Sequence, residues 1–202
     1  MKFLLGTKQH MLQIFDAEGQ VHPVTLINAG PVVVTQLKTT ERDGYGAVQV
    51  GYGERNPKNI AKAQKGHTKD LGNFRHFKEF RMEDTATFKV GDKIDAAVFG
   101  KGDVVRVSAT SKGKGFQGVV KRHKFKGGPR THGQKHSERE PGSIGGGLRT
   151  GPRKGMRMGG RMGFDRTTVK NLKIMEIDPI NNQILVSGAV PGRRGSLVEI
   201  RA

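Results

Sequence analysis

Short apolar, β-branched pieces recur through the first quarter of the chain, at 3–5, 11–15, 24–27, 32–37 and 47–52. Between them lie 16–19 (DAEG), 28–31 (NAGP) and 41–44 (ERDG), built from residues that tolerate tight turns. Short strands at this even spacing predict a closed or nearly closed β-barrel. Asn56 stands before Pro57, a capping side chain ahead of a proline suited to the first helical position, which predicts a short helix over 58–65. Residues 66–82 are basic and aromatic, with Phe74, Phe77 and Phe80 three apart. That spacing fits a helix or a loop followed by a strand. Strand pattern resumes at 87–90, 94–99 and 104–109, breaks off, and returns at 172–177, 183–190 and 197–200.

The break is where composition changes the picture. From Lys112 to Arg166 there are fifteen Lys/Arg against three acids (Glu138, Glu140 and Asp165), a net +12 of the chain's +18. The run holds fifteen of the thirty glycines and only ten residues drawn from Phe, Val, Ile, Leu and Met. So little apolar surface cannot offset the entropy of ordering such a segment, so an outside polyanion must order it. RNA is the obvious one. The flanks, 147 residues with 21 Lys/Arg and 15 acids, have the balance of an ordinary soluble domain. The predicted organisation is a mainly β body formed by 1–111 and 167–202, with a basic, partly helical interlude at about 56–82 and a long inserted loop at 112–166. Out and back, that loop reaches at most about 80–90 Å.

Within the loop, SKGKGFQG at 111–118 places Lys112 and Lys114 among glycines whose backbone N–H groups can lie against phosphate, with Phe116 and Gln117 following. The competing reading is a flexible loop entering a helix at 116–123; Lys121, Arg122, His123, Lys124 and Lys126 continue the candidate RNA contacts. No GxxxxGK[ST] spacing occurs, so this is not a nucleotide-binding loop. His132 and His136 are four apart, but Gly127, Gly128, Pro129 and Gly133 oppose a helix there. Cysteine is absent and no HExxH is present, so these histidines, with His123, suit RNA contact better than metal. Arg130, Lys135 and Arg139 extend the basic surface. The distal piece at 145–163, GGGLRTGPRKGMRMGGRMG, passes backbone through narrow space at Gly145 and Gly146. It lines up Arg149, Arg153, Lys154, Arg157 and Arg161 as forks for phosphate and faces for bases, and Arg166 closes the run. Ser108, Ser111, Ser137 and Ser143 sit in no nucleophile motif, so neither an enzyme nor a cofactor is expected. The three-residue apolar run before Gly6 is too short for a signal-peptide core, and no run approaches membrane-spanning length.

These residues resemble the bacterial form of the universal ribosomal protein L3 family. The likeness lies in GTKQHM (6–11), DVVRVSATSKGKGFQG (103–118), His132-Gly133, PGSIG (141–145), GGRMG (159–163) and VSGAVPG (186–192), essentially the whole length. The resemblance implies a translation-protein-type six-stranded β-barrel with its loop threaded into large-subunit ribosomal RNA. It further implies a loop tip near the peptidyl-transferase centre and a part in early assembly of the RNA's 3′ domain. The implied partners are large-subunit rRNA and the neighbouring proteins called L-fourteen and L-nineteen, in the cytoplasm, with no membrane and no homo-oligomer. In some relatives a glutamine methylated on its side-chain amide follows PGSIG; here Gly146, Gly147 and Leu148 follow, so that modification is not expected. An off-ribosome regulatory RNA-binding protein is the alternative, and an RNA-modifying enzyme a third reading. Co-sedimentation with large subunits separates the first two, and incubation with RNA and methyl or nucleotide donors addresses the third.

Overall fold

Extended segments with one buried face make strand the main regular element of this chain. A computed structural model describes residues 1–145 and 151–202. They form two compact units, one of Met1–Thr110 with Arg166–Ala202, the other Ser111–Asp165. The first unit begins β1 (Phe3–Phe15), β2 (Val21–Ala29), β3 (Val32–Lys38), a one-turn helix α1 (Thr40–Asp43) and β4 (Ala47–Glu54). It continues through α2 (Lys62–Thr68), β5 (Phe74–Arg81), β6 (Lys93–Ile94) and β7 (Val104–Thr110). The second unit holds β8 (Phe116–Gln117), α3 (Val119–His123) and β9 (Gly160–Arg161). The first then resumes with β10 (Arg166–Asp178), β11 (Gln183–Ser187) and β12 (Leu197–Arg201).

Six strands close an antiparallel barrel in the order β1-β12-β7-β10-β11-β2. Closure removes the open edges that a flat sheet would leave. Leu4, Leu5, Ile27, Val107, Ile184, Val198 and Ile200 are fully buried in the barrel strands. Gly6 lets β1 and β2 approach: a Cβ there would lie 2.7 Å from the Asn28 carbonyl oxygen. The remaining strands of this unit form a second sheet, β5-β4-β3-β6, whose Val34, Val48, Val50 and Phe80 join the same hydrophobic core. Phe3 of the barrel stacks on Phe80 with ring centroids 4.2 Å apart. Aromatic pairs of this kind add about 0.5–1.5 kcal/mol beyond the area they bury.

Several sequence expectations change here. The segments at 32–37 and 47–52 belong to the second sheet and not to the barrel. Those at 3–5 and 11–15 are one 13-residue strand, with a bulge between Lys8 and Met11. Residues 87–90 form no strand, because the Asp92 carboxylate accepts the Lys89 N–H at 2.7 Å and a side-chain-closed turn replaces the ladder. At 94–99 only β6 is extended; Val98 and Phe99 donate to Asp95 and Ala96 carbonyls in a 3₁₀ turn. Asn56 does cap, accepting the Lys58 N–H at 3.0 Å, but the turn it starts is 3₁₀ and α2 follows separately. Phe74, Phe77 and Phe80 lie on a strand, drawn into register by β4. No helix among the described residues is long and apolar enough to cross a membrane.

Candidate nucleic-acid interface

The inserted unit is organised by its two legs. The Ser111 N–H donates to the Asp165 carbonyl at 2.9 Å, Lys114 to Met162 at 2.9 Å and Met162 to Gly115 at 3.0 Å. The pairing continues into the short β8–β9 ladder, Phe116 opposite Arg161 and Gln117 opposite Gly160. Gly163 is required in this ladder. Its φ is +74°, and a Cβ there would run into the Lys112 carbonyl. Beyond the ladder, Gly118 caps α3, and Lys124 ends it in a left-handed conformation with its N–H on the Val119 carbonyl.

This scaffold sorts the expected contact residues into two kinds. Arg122 Nη1 donates to the Met158 carbonyl at 2.7 Å, and His123 Nε2 lies 3.1 Å from the same oxygen. Both are half-buried and tie α3 to the returning leg. Arg130 donates to Glu138 at 3.1 Å, and Arg161 lies 3.9 Å from Asp165. Lys112, Lys114, Lys121, Lys124, Lys126, Lys135, Arg139, Arg153, Lys154 and Arg157 are exposed. They form an outward cationic surface with three acids in the whole unit.

Apolar rings interrupt that surface. Phe116 is 80% exposed, and Phe164, which sequence reasoning passed over, is 63% exposed with the Arg161 guanidinium 5.6 Å from its ring centroid. Bare aromatic faces beside guanidinium groups are suited to stack bases. Burying neither ring inside the protein is costly unless something else covers them. His132 and His136 lie in a turn and a bend, His132 with φ +60°, and no cluster of metal-ligating side chains occurs among the described residues. Gly145 adopts φ +127°, a conformation open to glycine alone. Gly146, Gly147, Leu148 and Arg149 fall outside the described residues.

A second cationic cluster lies on the barrel unit. Glu199 of β12 is buried and meets the guanidinium of Arg166, the ammonium of Lys78 at 3.1 Å and Arg201 at 3.5 Å. Arg201 also covers the Phe80 ring at 4.7 Å. Burial pulls its pKa below the usual arginine range, with Glu199 opposing. Three cations on one carboxylate leave positive charge facing out through Lys78 and Arg166, which are 44% and 57% exposed. Of these four residues only Arg166 was a sequence candidate. Glu199 and Arg201 share β12, but Lys78 comes from β5 with no local signal linking it to them.

The sequence pattern described as Ribosomal protein L3 matches residues 75–184, from β5 through the whole inserted unit into β11. The large ribosomal subunit protein uL3 of Herpetosiphon aurantiacus is 49% identical over 98% of this chain and 94% of its own. That of Finegoldia magna is 45% identical over 100% and 97%, and the protein uL3c of Guillardia theta is 44% identical over 98% of each. The chain belongs to the ribosomal protein L3 family. As an L3-family member it is a structural ribosomal protein of the large subunit, part of the translation machinery in the cytoplasm, and not an enzyme. L3 membership also accounts for one chain holding an ordinary barrel and so cationic an insert.

Proposed function

We propose that this L3-family protein binds large-subunit ribosomal RNA chiefly through Ser111–Asp165, with the barrel resting on RNA through the Lys78–Arg166–Arg201 cluster. The observation that carries this reading is the ten outward-facing lysines and arginines of the inserted unit beside the bare rings of Phe116 and Phe164. Phosphates met by such side chains release condensed counterions, and bases stack on the rings. Binding at an early step would order the legs and their tip together, organising the RNA's 3′ domain as the L3 family is expected to. The tip, between Pro141 and Gly163, would then lie toward the peptidyl-transferase centre. Neighbouring large-subunit proteins, with L-fourteen and L-nineteen as the family expectation, would complete its surroundings.

The test is the salt dependence of binding to large-subunit RNA by the full-length chain. Replacing Lys112, Lys114, Lys121, Arg122 and Lys124 by glutamine should flatten the log–log slope by about 3, at about 0.7–0.9 per lost phosphate contact. Arg122 contributes least to that figure, since it already spends a donor on Met158. An unchanged slope overturns the proposal. Sedimentation separates it from regulation of RNA off the ribosome: the protein should travel in constant proportion with large subunits after a mild salt wash.

A further inference from the structure

The cations of this chain are absent from one whole side of the barrel. Between Lys8 and Lys38 there is no Lys or Arg at all, and none at 174–192, in a chain that carries 36. These two stretches supply β2, β11, the far end of β10 and the outer half of β1, which are neighbours in the closed barrel. Arg106, Arg166, Lys170, Lys173 and Arg201 all fall on β7, the earlier part of β10 and β12. The one cation of β1, Lys8, is folded back onto the Val190 and Gly192 carbonyls at 2.6 and 3.0 Å.

On this side β1 and β2 also run on past the closed part of the barrel. β1 pairs with β12 only as far as Thr7, and β2 pairs with β11 only from Val24 to Asn28. Beyond these, Gln13 to Phe15 paired with Val21 to Pro23 runs on as a two-stranded ribbon, while Met11 and Leu12 still lie opposite Thr25 and Val24, which β11 also holds. The register sets Phe15 opposite Val21, Gln13 opposite Pro23 and Met11 opposite Thr25, so Met11, Phe15, Val21 and Pro23 share one face with Gln13 and the buried Thr25. Met11, Phe15 and Val21 are 49, 65 and 52% exposed. A clustered apolar face of this kind marks a contact surface, and an uncovered ribbon edge without lysine is a pairing hazard in water. The turn that joins the strands bears Asp16 and Glu18, and Asp16 is held ionised by His22 at 2.9 Å and by the Gln20 and Glu18 amides. Phosphate would meet two carboxylates there with no lysine or arginine beside them.

We infer that the apolar face of the β1–β2 ribbon, with Asp16 and Glu18 at its turn, docks a basic segment of another large-subunit protein and not RNA. The partner chemistry follows from the surface: apolar side chains to cover Met11, Phe15 and Val21, and flanking lysines or arginines to meet the two carboxylates. The inference rests on the reading that the chain works inside the large subunit. It divides the barrel into an RNA-facing side and a protein-facing side.

The experiment places p-benzoylphenylalanine at Phe15 in one full-length variant and at Phe116 in another, assembles each in cells, and irradiates purified large subunits. The Phe15 probe should cross-link to one subunit protein, at a segment of net positive charge identified by mass spectrometry, and the Phe116 probe to RNA. Adding Phe15→Lys with Val21→Lys in an otherwise unchanged chain should cut that neighbour's occupancy at least tenfold while affinity for naked rRNA changes less than twofold. A Phe15 cross-link to RNA, to a second copy of this chain, to an acidic segment or to nothing overturns the inference. Failure of Phe116 to reach RNA, or absence of the protein from subunits, counts against the RNA-binding reading instead.

Discussion

The barrel unit and the inserted unit are held together by different means. The first buries 26 apolar residues, from Phe3 to Ile200, whereas Val119 is the one buried apolar side chain among the described residues of the second. What the second has in place of a core is backbone pairing between its legs, the Arg122 and His123 bonds to Met158, and a set of glycines at positive φ. Net hydrogen-bond contributions are about 1 kcal/mol each, set against about 1–2 kcal/mol of backbone entropy per ordered residue. A barrel with a real core folds by itself. A glycine-rich loop with one buried valine needs a surface to fold against, and its exposed lysines, arginines and phenylalanines are the grounds for proposing RNA as that surface.

Removing a buried side chain from each unit in turn should show the largest contrast. Phe80→Ala removes a fully buried ring stacked on Phe3 and should cost about 3–5 kcal/mol, a drop in thermal midpoint readable by circular dichroism. Val119→Ala should leave that midpoint unmoved, because the residue lies in the other unit. A shared shift would mean that the two units melt as one.

Gly163→Val sharpens the comparison from the other side. A β-branched residue at φ +74° with its Cβ against the Lys112 carbonyl should break the pairing of the legs, a local penalty on the order of 1–3 kcal/mol. The barrel should melt as before, and RNA affinity should fall as the cations lose their scaffold. Normal RNA affinity in this variant would show that the ladder does not position them.

The smallest effect expected is a pH dependence confined to the barrel unit. Glu79 accepts from Lys38 at 2.9 Å, from Tyr45 at 2.9 Å and from Gln49 at 3.3 Å, and the Lys38 bond is the main reason its pKa lies below the ordinary carboxylate range. A depressed folded pKa means stability that is fully present above about pH 4.3 and lost as pH falls through the lower folded value. Glu79→Gln should therefore flatten the acid limb of a stability–pH curve by less than about 1 kcal/mol, as a partly exposed pair. A steeper acid limb in the variant would contradict the assignment.

Much of this molecule is legible in its sequence, and the parts that are not have a common cause. Strands such as 104–109 and 197–200 announce themselves by local pattern, and the charge step at Lys112 needs only counting. Which sheet a strand joins depends on partners far away: β3 and β4 have the same β-branched composition as the barrel strands, yet pair with β5 and β6. Glu199 is equally silent, since Lys78 and Arg166 come to it from 121 and 33 residues away. Arg122 and Lys121 are adjacent and alike in sequence, and only the path of the returning leg makes one a strut and the other a free cation. The protein-facing ribbon was hidden for a subtler reason. Its information is an absence of lysine and arginine, which acquires meaning only once β1, β2 and β11 are known to be neighbours.

The most direct test of the contrast between core-built and partner-built units is amide hydrogen exchange on the full-length chain, free and bound to large-subunit RNA. The amides of Lys114, Met162 and the β8–β9 ladder should exchange within minutes in the free protein and slow at least a hundredfold on RNA. The buried strands of the barrel, at Leu5, Val107 and Ile200, should be strongly protected in both states. A loop as protected as the barrel without RNA, or one that RNA leaves unchanged, would contradict the account.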